Sequence, residues 1–161
     1  MTSSNAPRLP RRPYGNTGIE LSIMGFGGMM IRDAQQDHVD RLVSEAIERG
    51  VNYFEVAPTY GHAEQVLGHA LRPYRKDAFL ACKTTERTKE GSALELATSL
   101  ERLQTDHVDL YQLHAITDVA KDVDTVFAKG GAMETFIAAK KDGRVRHLGF
   151  SAHSIDAALA A

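Results

Sequence analysis

The chain has 161 residues, of which 43% are apolar and 25% are charged, and its formal net charge at pH 7 is -2. This length suits about one domain with a buried core, and the composition is ordinary for a globular protein. The charge implies no nucleic-acid partner, because a nucleic-acid-binding protein presents a basic surface.

The amino-terminal end, residues 1–13, is mostly Ser, Asn, Pro and Arg and lacks the apolar segment of a secretory signal peptide. No other stretch approaches the roughly 20 apolar residues that span a bilayer. The single cysteine cannot form an intrachain disulfide, so nothing indicates an oxidising compartment. We therefore expect a cytoplasmic protein with no membrane partner, in which residues 1–12 form a flexible tail before one domain over residues 13–161.

A small hairpin and a series of strand–helix units follow in chain order. The stretch 14–22 predicts the hairpin, with its turn at residues 16–18, because Ile19 and Leu21 alternate with polar residues. The apolar run 24–28 then predicts a buried strand that ends in glycines. Further runs predict helix 37–49, strand 51–57, helix 63–72, strand 78–83, helix 91–103, strand 107–113, helix 133–141, strand 145–150 and a short serine-capped helix over 154–161.

Strict alternation of strands and helices favours an α/β fold with parallel strands and right-handed crossovers. Three of the strands end in an ionisable residue, namely Glu55, Lys83 and His114. Pro58 stops the first of these strands, and Tyr60 lies in the loop beyond it. Because the carboxyl ends of parallel strands meet at one edge of a sheet, these residues predict a site there, in either a barrel or a doubly wound sheet.

Each of these residues also has a purely structural interpretation. Taken alone, Lys83 fits a structural salt bridge, because a lysine inside the fold is costly unless it is paired. His114 alone fits a hydrogen-bonded core histidine, and Tyr60 alone fits a packed loop aromatic. Together, at matched strand ends, they favour a functional site, since perturbed ionisable groups cluster in such sites.

Other candidate motifs are weaker. Cys82 fits a small buried hydrophobic residue under a helix better than it fits a nucleophile. His62 and His69 lie about two helical turns apart, and no His-x-His or Cys-x-x-Cys occurs, so no metal site is predicted. Residues 25–28 lack the third glycine of the dinucleotide-binding fingerprint, which argues against a Rossmann fold.

The order and spacing of these motifs resemble the aldo-keto reductase superfamily. Residues 55–61 are similar to the family pattern of Asp-Thr-Ala followed by Tyr-Gly, with Glu55 standing where the family has aspartate. Lys83 and His114 match the lysine and the histidine that end the third and fourth strands in the family. The run Gly149-Phe150-Ser151 resembles the motif that closes the fifth strand and contacts the nicotinamide carboxamide.

The resemblance covers residues 14–155, and residues 87–91 and 151–153 are most similar to a bacterial subgroup of predicted oxidoreductases. It implies a TIM-type (β/α)₈ barrel, of which this chain holds about the first five βα units after the hairpin. The family loops that hold the cofactor phosphates follow the seventh and eighth strands and have no counterpart here. Exposed sheet edges would then favour self-association or pairing with a complementary C-terminal half-barrel.

The resemblance also implies an activity, the NADPH-dependent reduction of a small-molecule aldehyde or ketone to an alcohol, with NADH as the alternative cofactor. Tyr60 would donate a proton to the carbonyl oxygen, assisted by the positive charge of Lys83. Glu55 would balance that charge, and His114 would orient the carbonyl. The cofactor-binding residues that it implies are Gly28, Met29, Glu55, Ser151 and Ala152.

Two other classes of function stay open. A non-catalytic scaffold or interaction module would use the exposed sheet edges to bind a partner, and its assembly would not depend on Tyr60 or Lys83. A metal-dependent hydrolase on the same fold is the third hypothesis. The sequence has no His-x-His or Cys-x-x-Cys pair to bind a metal ion, which argues against this hypothesis.

Overall fold

Seven strands and six α-helices follow one another in residues 8–161, the part of the chain that the computed structural model describes. The strands are β1 (Arg11–Pro13), β2 (Glu20–Ser22), β3 (Phe26–Gly27), β4 (Tyr53–Glu55), β5 (Phe79–Thr84), β6 (Val108–Ile116) and β7 (Val145–Ala152). The helices are α1 (Gln36–Glu48), α2 (Ala63–Leu71), α3 (Lys89–Arg102), α4 (Thr125–Phe127), α5 (Ala132–Lys141) and α6 (Ile155–Ala160). Short 3₁₀ segments occupy Gly28–Ile31 and Arg72–Tyr74.

Strands β1 and β2 form the antiparallel hairpin. It begins at Arg11 rather than at Tyr14, so its first strand occupies residues that we expected to belong to a flexible tail. Arg11 and Arg12 are exposed, and only backbone pairing holds them in the hairpin. Such pairing does not require alternating apolar residues, so the sequence shows no strand pattern there. The predicted tail at residues 1–7 lies outside the described residues.

The other five strands form one parallel sheet in the order β3-β4-β5-β6-β7. Each strand pairs with the strand that follows it in the chain, and a helical segment links every consecutive pair, as strict βα alternation predicts. The fold is therefore α/β, with the topology of part of a (β/α)₈ barrel, and the prediction of its class is confirmed. Strands β3 and β7 are the two outermost strands.

The core lies on both faces of this sheet. Helices cover one face, where the apolar stripe of α1, including Val39 and Val43, joins a large buried cluster with the outward side chains of the strands. On the other face a small cluster centred on Phe79, Ala81 and Leu110 packs against the hairpin. The hairpin thus covers the inner face at the amino end of the strands, and the carboxyl end lies beyond it.

The end of β6 also differs from the sequence prediction. Strand β6 extends to Ile116 rather than ending at residue 113, and a register shift interrupts its pairing with β7 between Leu113 and Ile116. The connection that follows, for which the sequence predicts no helix or strand, contains a π-helical segment at Val119–Asp124. Both features lie close to His114 in the chain.

Candidate active site at the carboxyl edge of the sheet

Three neighbouring strands bring the predicted ionisable residues to one edge. Glu55 is the last residue of β4, Lys83 lies near the end of β5, and His114 lies near the end of β6. The register pairs Glu55 with Ala81 and Lys83 with Gln112 across adjacent strands. Since the strands are parallel, their carboxyl ends coincide, and the expected convergence of these side chains follows from the topology.

Lys83 is the centre of the site. Its side chain is only 5% exposed, and its ammonium group forms an ion pair with the carboxylate of Glu55, whose side chain is 28% exposed. The same ammonium group donates a hydrogen bond to the hydroxyl of Tyr60, at 3.1 Å between Nζ and Oη. Glu55 therefore reaches Lys83 despite its extra methylene relative to aspartate, and its carboxylate balances the charge of the buried lysine.

The loop that carries Tyr60 is held by backbone contacts. The Tyr60 N–H donates to the carbonyl of Ala57 at 3.0 Å. Gly61 has a positive φ of 57°, and a Cβ atom at that position would lie 2.7 Å from the carbonyl oxygen of Arg32. Only glycine fits this conformation and this close approach, so Gly61 fixes the direction in which the loop leaves Tyr60.

His114 lies beside the phenol ring. The two ring centroids are 5.9 Å apart, with an interplanar angle of 82°, so the edge of one ring meets the face of the other. The pKa of His114 lies below its ordinary value, mainly because the ring is partly buried and secondly because of the positive charge of Lys83. The imidazole is therefore neutral near pH 7, which leaves one ring nitrogen as a donor and the other as an acceptor.

A bulge at the end of β6 sets the direction of this imidazole. Ala115 has a positive φ of 54°, a conformation that is strained for a residue with a Cβ atom. Its N–H donates to the Ser151 hydroxyl at 2.9 Å, and that hydroxyl lies 3.1 Å from Nδ1 of His114. The end of β7 thus fixes both the strained backbone and the ring, as bulges near active sites commonly do.

Comparisons with known proteins show the family of the chain. A profile described as the aldo/keto reductase family matches residues 23–161. The chain belongs to the aldo/keto reductase family. It is 31% identical to an uncharacterized oxidoreductase, YqkF, of Bacillus subtilis (strain 168), over 88% of this chain and 48% of that protein. It is 30% identical to L-galactose dehydrogenase of Arabidopsis thaliana, over 92% of this chain and 50% of that protein.

Solved structures give the same result. Aldo-keto reductase AKR11C1 from Bacillus halodurans, in its holo form, aligns with a TM-score of 0.78 and 30% identity, over 91% of this chain and 51% of that one. An aldo-keto reductase from Klebsiella pneumoniae in complex with NADPH aligns with a TM-score of 0.72 and 25% identity, over 88% and 49%. The chain spans about half the length of the curated relatives it matches. The resemblance to this family, including its bacterial oxidoreductases, is therefore confirmed.

An arginine and an aspartate anchor the loop beyond His114. Arg87 donates from its Nη2 to the carbonyl of His114 at 2.8 Å and from its Nε to Asp122 at 2.9 Å. The other carboxylate oxygen of Asp122 accepts from the N–H groups of Thr117, at 2.7 Å, and Asp118, at 3.0 Å. Burial opposes the charge of this carboxylate, but these backbone hydrogen bonds and the Arg87 guanidinium outweigh it and lower the pKa of Asp122 to about 2.

The low pKa predicts an acid-sensitive contribution to stability. A folded pKa below the ordinary 3.8 stabilises the fold above about pH 4, and this contribution is lost as the pH falls toward 2. We expect Asp122→Asn to lower the free energy of unfolding at pH 7 by about 2 kcal/mol and to flatten its decrease between pH 4 and 2. Urea unfolding at several pH values measures both effects. The exposed Asp124→Asn in the same segment is the matched control, expected to change unfolding at pH 7 by under about 0.5 kcal/mol.

The predicted cofactor residues lie on the same edge but in separate groups. Gly28 and Met29 follow β3, Glu55 ends β4, and Ser151 and Ala152 end β7. Gly28 is buried, and a Cβ atom there would lie 2.9 Å from the Glu55 carbonyl oxygen, whereas Met29 is 49% exposed. Three strands separate the first group from the last, so a ligand that contacts both must extend across the sheet.

The remaining candidates take structural positions. Cys82 is fully buried under the helices, as predicted, and its thiol donates to Glu64 at 3.5 Å. His62 and His69 are exposed, and residues 8–161 contain no cluster of three or more His, Cys, Asp or Glu side chains able to hold a metal ion. None of the helices described is both long and apolar enough to cross a bilayer.

Sequence reasoning missed three residues that position His114. The run 87–91 indicates a family subgroup but gives Arg87 no role at the site, and Asp122 carries no recognisable motif. The strain at Ala115 leaves no signal because alanine is an ordinary residue in a strand or a helix. The aspartates at residues 118, 122 and 124 form a pattern that is typical of a polar loop and does not single out Asp122.

Proposed function

We propose that this chain carries the proton-transfer residues of an aldo-keto reductase that reduces the carbonyl group of a small aldehyde or ketone with NADPH. The observation that carries the proposal is the buried ammonium group of Lys83, which contacts both the Glu55 carboxylate and the Tyr60 hydroxyl. A lysine placed only for stability needs one partner of opposite charge. The second contact, to a phenol beside a neutral imidazole, is what a proton donor requires.

Each residue has a role that follows from its contacts. When the carbonyl carbon gains a hydride, negative charge develops on its oxygen, and the Tyr60 hydroxyl donates its proton there. The positive charge of Lys83 stabilises the phenolate that remains, and Glu55 holds Lys83 in place. The neutral ring of His114 donates a hydrogen bond to the carbonyl oxygen and orients it.

The predicted cofactor residues fit the nicotinamide end of the cofactor. The bound cofactor supplies the hydride. None of Gly28, Met29, Ser151 and Ala152 is charged, which suits an uncharged carboxamide and a flat ring better than a phosphate. Gly149 has no side chain, so the inner face of β7 is open beside Leu110. A Cβ atom added at residue 149 would lie 3.3 Å from Cδ1 of Leu110. These residues would hold the ring, and the Ser151 hydroxyl would contact its carboxamide.

We also propose that the outermost strands are covered in the working assembly, by a second copy of the chain or by a complementary C-terminal half-barrel. Met24 beside β3 is 62% exposed, and Ile155 and Leu159 beside β7 are 80% and 82% exposed. Such apolar side chains at both ends of an open parallel sheet favour association. With its single cysteine buried and reduced, we place this assembly in the cytoplasm.

The experiment that tests this function is a titration of the purified chain with NADPH, and in parallel with NADH, following cofactor fluorescence. The oligomeric state is measured on the same sample by light scattering. Saturable binding of NADPH, followed by reduction of an aldehyde panel, is the expected result. Absence of binding up to millimolar cofactor, by the chain alone and with a C-terminal half from a relative, would contradict it.

A non-catalytic interaction module is the second candidate, favoured by the same exposed apolar edges. It predicts a tight oligomer or heteromer whose formation is unchanged by Tyr60→Phe and by Lys83→Met. A monodisperse monomer in light scattering would contradict it.

A further inference from the structure

A cavity of about 540 Å³ lies at the end of the sheet opposite Tyr60 and Lys83. Its walls come from the end of α2, from the loops before β5 and β6, and from the second residue of β7. Gly68 allows the walls to meet, because a Cβ atom there would lie 2.6 Å from the backbone of Leu103 at the end of α3. The volume is within the range of pockets that bind small molecules, roughly 300–1,000 Å³.

The lining of this basic cavity carries an excess of positive charge. Its cationic residues are Arg72, Arg75, Lys76 and Arg146. Against them stand two carboxylates. Asp106, at the rim, is hydrogen-bonded to His107, and Asp109 lies buried behind the lining. The cavity therefore has more fixed cations than the protein itself neutralises.

The back wall is rigid. Arg75 donates to the carbonyl of His107 at 2.8 Å and to that of Ala78 at 2.9 Å, and it lies 3.1 Å from the Asp109 carboxylate. Arg146 contacts the other oxygen of the same carboxylate at 2.7 Å. Two guanidinium groups thus share one buried carboxylate. Arg146 is more than half exposed, so its remaining N–H groups face the cavity or solvent.

The side wall supplies the uncompensated charges. Arg72 and Lys76 are exposed and lie four residues apart on the turn that follows α2. Neither forms an ion pair with any residue in the described range 8–161. Arg72 and Lys76 line the same cavity as the exposed guanidinium group of Arg146, so the three charges form a concave positive site. Such a site attracts an anion more strongly than the same charges on a flat surface.

We propose that the basic cavity binds a small molecule bearing a diphosphate or a phosphate ester. Guanidinium groups match the oxygens of phosphate in paired hydrogen bonds, and several converging cations suit a ligand with more than one negative charge. A single concave site on a chain of net charge -2 does not suit a polynucleotide, which needs an extended basic surface. The ligand at this site contacts neither Tyr60 nor Lys83, so its binding is independent of the function proposed above.

The test is a titration of the ¹⁵N-labelled 161-residue chain with inorganic pyrophosphate at constant ionic strength, followed by ¹H–¹⁵N NMR. We expect saturable shifts of the backbone amides of residues 104–107 and Arg146. The double variant Arg72→Gln, Lys76→Gln should weaken binding about tenfold or more, because each charge-assisted hydrogen bond contributes to affinity. Tyr60→Phe should leave the affinity unchanged.

The matched control is Lys140→Gln, Lys141→Gln, which removes two exposed cations at the end of α5 and leaves the cavity intact. It should change the affinity by less than about twofold, because neither lysine lines the cavity and the field of exposed charges is screened by salt. Equal weakening by the two double variants would overturn the proposal, since the anion would then respond only to overall charge. Shifts that do not saturate, or that cluster at residues 28, 29 and 151, would overturn it as well. If the first double variant did not fold, Lys76→Gln alone would replace it.

Discussion

Replacing Tyr60 by phenylalanine is expected to abolish carbonyl reduction in any active assembly of this chain, with turnover falling by at least about 100-fold. The change removes one oxygen, the acceptor of the 3.1 Å hydrogen bond from Lys83, and keeps the ring against His114. The effect should therefore lie in the proton transfer. Steady-state kinetics with saturating cofactor measure it, and cofactor fluorescence should show binding unchanged.

Tyr74→Phe is the matched control for this variant. It also removes a phenol oxygen, but that hydroxyl donates to Ser44 at 3.3 Å, on the helical side of the fold and away from Lys83. We expect its turnover to stay within about twofold of the parent chain, since a weak surface hydrogen bond contributes little. Unchanged turnover in Tyr60→Phe would show that another group is the acid and would refute the assignment.

Replacing Lys83 by methionine has the second large expected effect, on both chemistry and stability. The half-buried carboxylate of Glu55 loses its partner, which should cost roughly 2 kcal/mol in the free energy of unfolding. This is less than the roughly 3–5 kcal/mol for a fully buried pair, because Glu55 remains partly exposed to water. Turnover should fall by about 100-fold, since nothing stabilises the phenolate of Tyr60.

The same variant has a spectroscopic signature at His114. Lys83 is the second cause, after burial, of the low pKa of this imidazole, and Glu55 acts in the opposite direction. Removing the lysine should therefore raise the pKa of His114 toward its ordinary value, so that the ring becomes protonated at a higher pH. An NMR titration of the histidine ring protons measures the change. Lys140→Met, an exposed site on α5, should leave the His114 titration and the unfolding free energy unaltered. A His114 pKa that stayed in place would show that the lysine charge does not act on the imidazole.

Both predictions concern side chains whose convergence follows from the pattern of strands in the sequence. Each of the three strands is a short apolar run that ends in an ionisable residue, and parallel pairing brings such ends together whatever the details of packing. The sequence therefore predicts Glu55, Lys83 and His114 at one edge. It does not predict which of them touch, because side-chain direction depends on where each strand stops.

His114 illustrates this limit. The apolar pattern of β6 predicts an end at residue 113, but pairing with β7 extends the strand to Ile116 through a bulge. The bulge is stabilised from elsewhere, by the Ser151 hydroxyl at the end of β7 and by the Arg87 guanidinium after β5. Neither hydrogen bond depends on the local pattern of apolar residues, so that pattern does not predict the bulge.

The hairpin boundary differs for a related reason. Arg11 and Arg12 pair through their backbones with Leu21 and Ser22, while their side chains remain exposed. Backbone hydrogen bonds are available to every residue except proline as a donor, so pairing alone places no constraint on residue type. A polar strand at the edge of a fold therefore has the sequence pattern of a tail.

The sequence by itself determined the order of strands and helices, the parallel α/β class, the family and the residues at the strand ends. These depend on the spacing of apolar residues and on short motifs, which are local properties of the chain. Only the tertiary structure decided that Lys83 contacts both Glu55 and Tyr60, that Arg87 and Asp122 hold the loop beyond His114, and that four cations line one cavity at the opposite end. Arg87 and Asp122 are 35 residues apart. Such contacts depend on the path of the folded backbone, which no local pattern encodes.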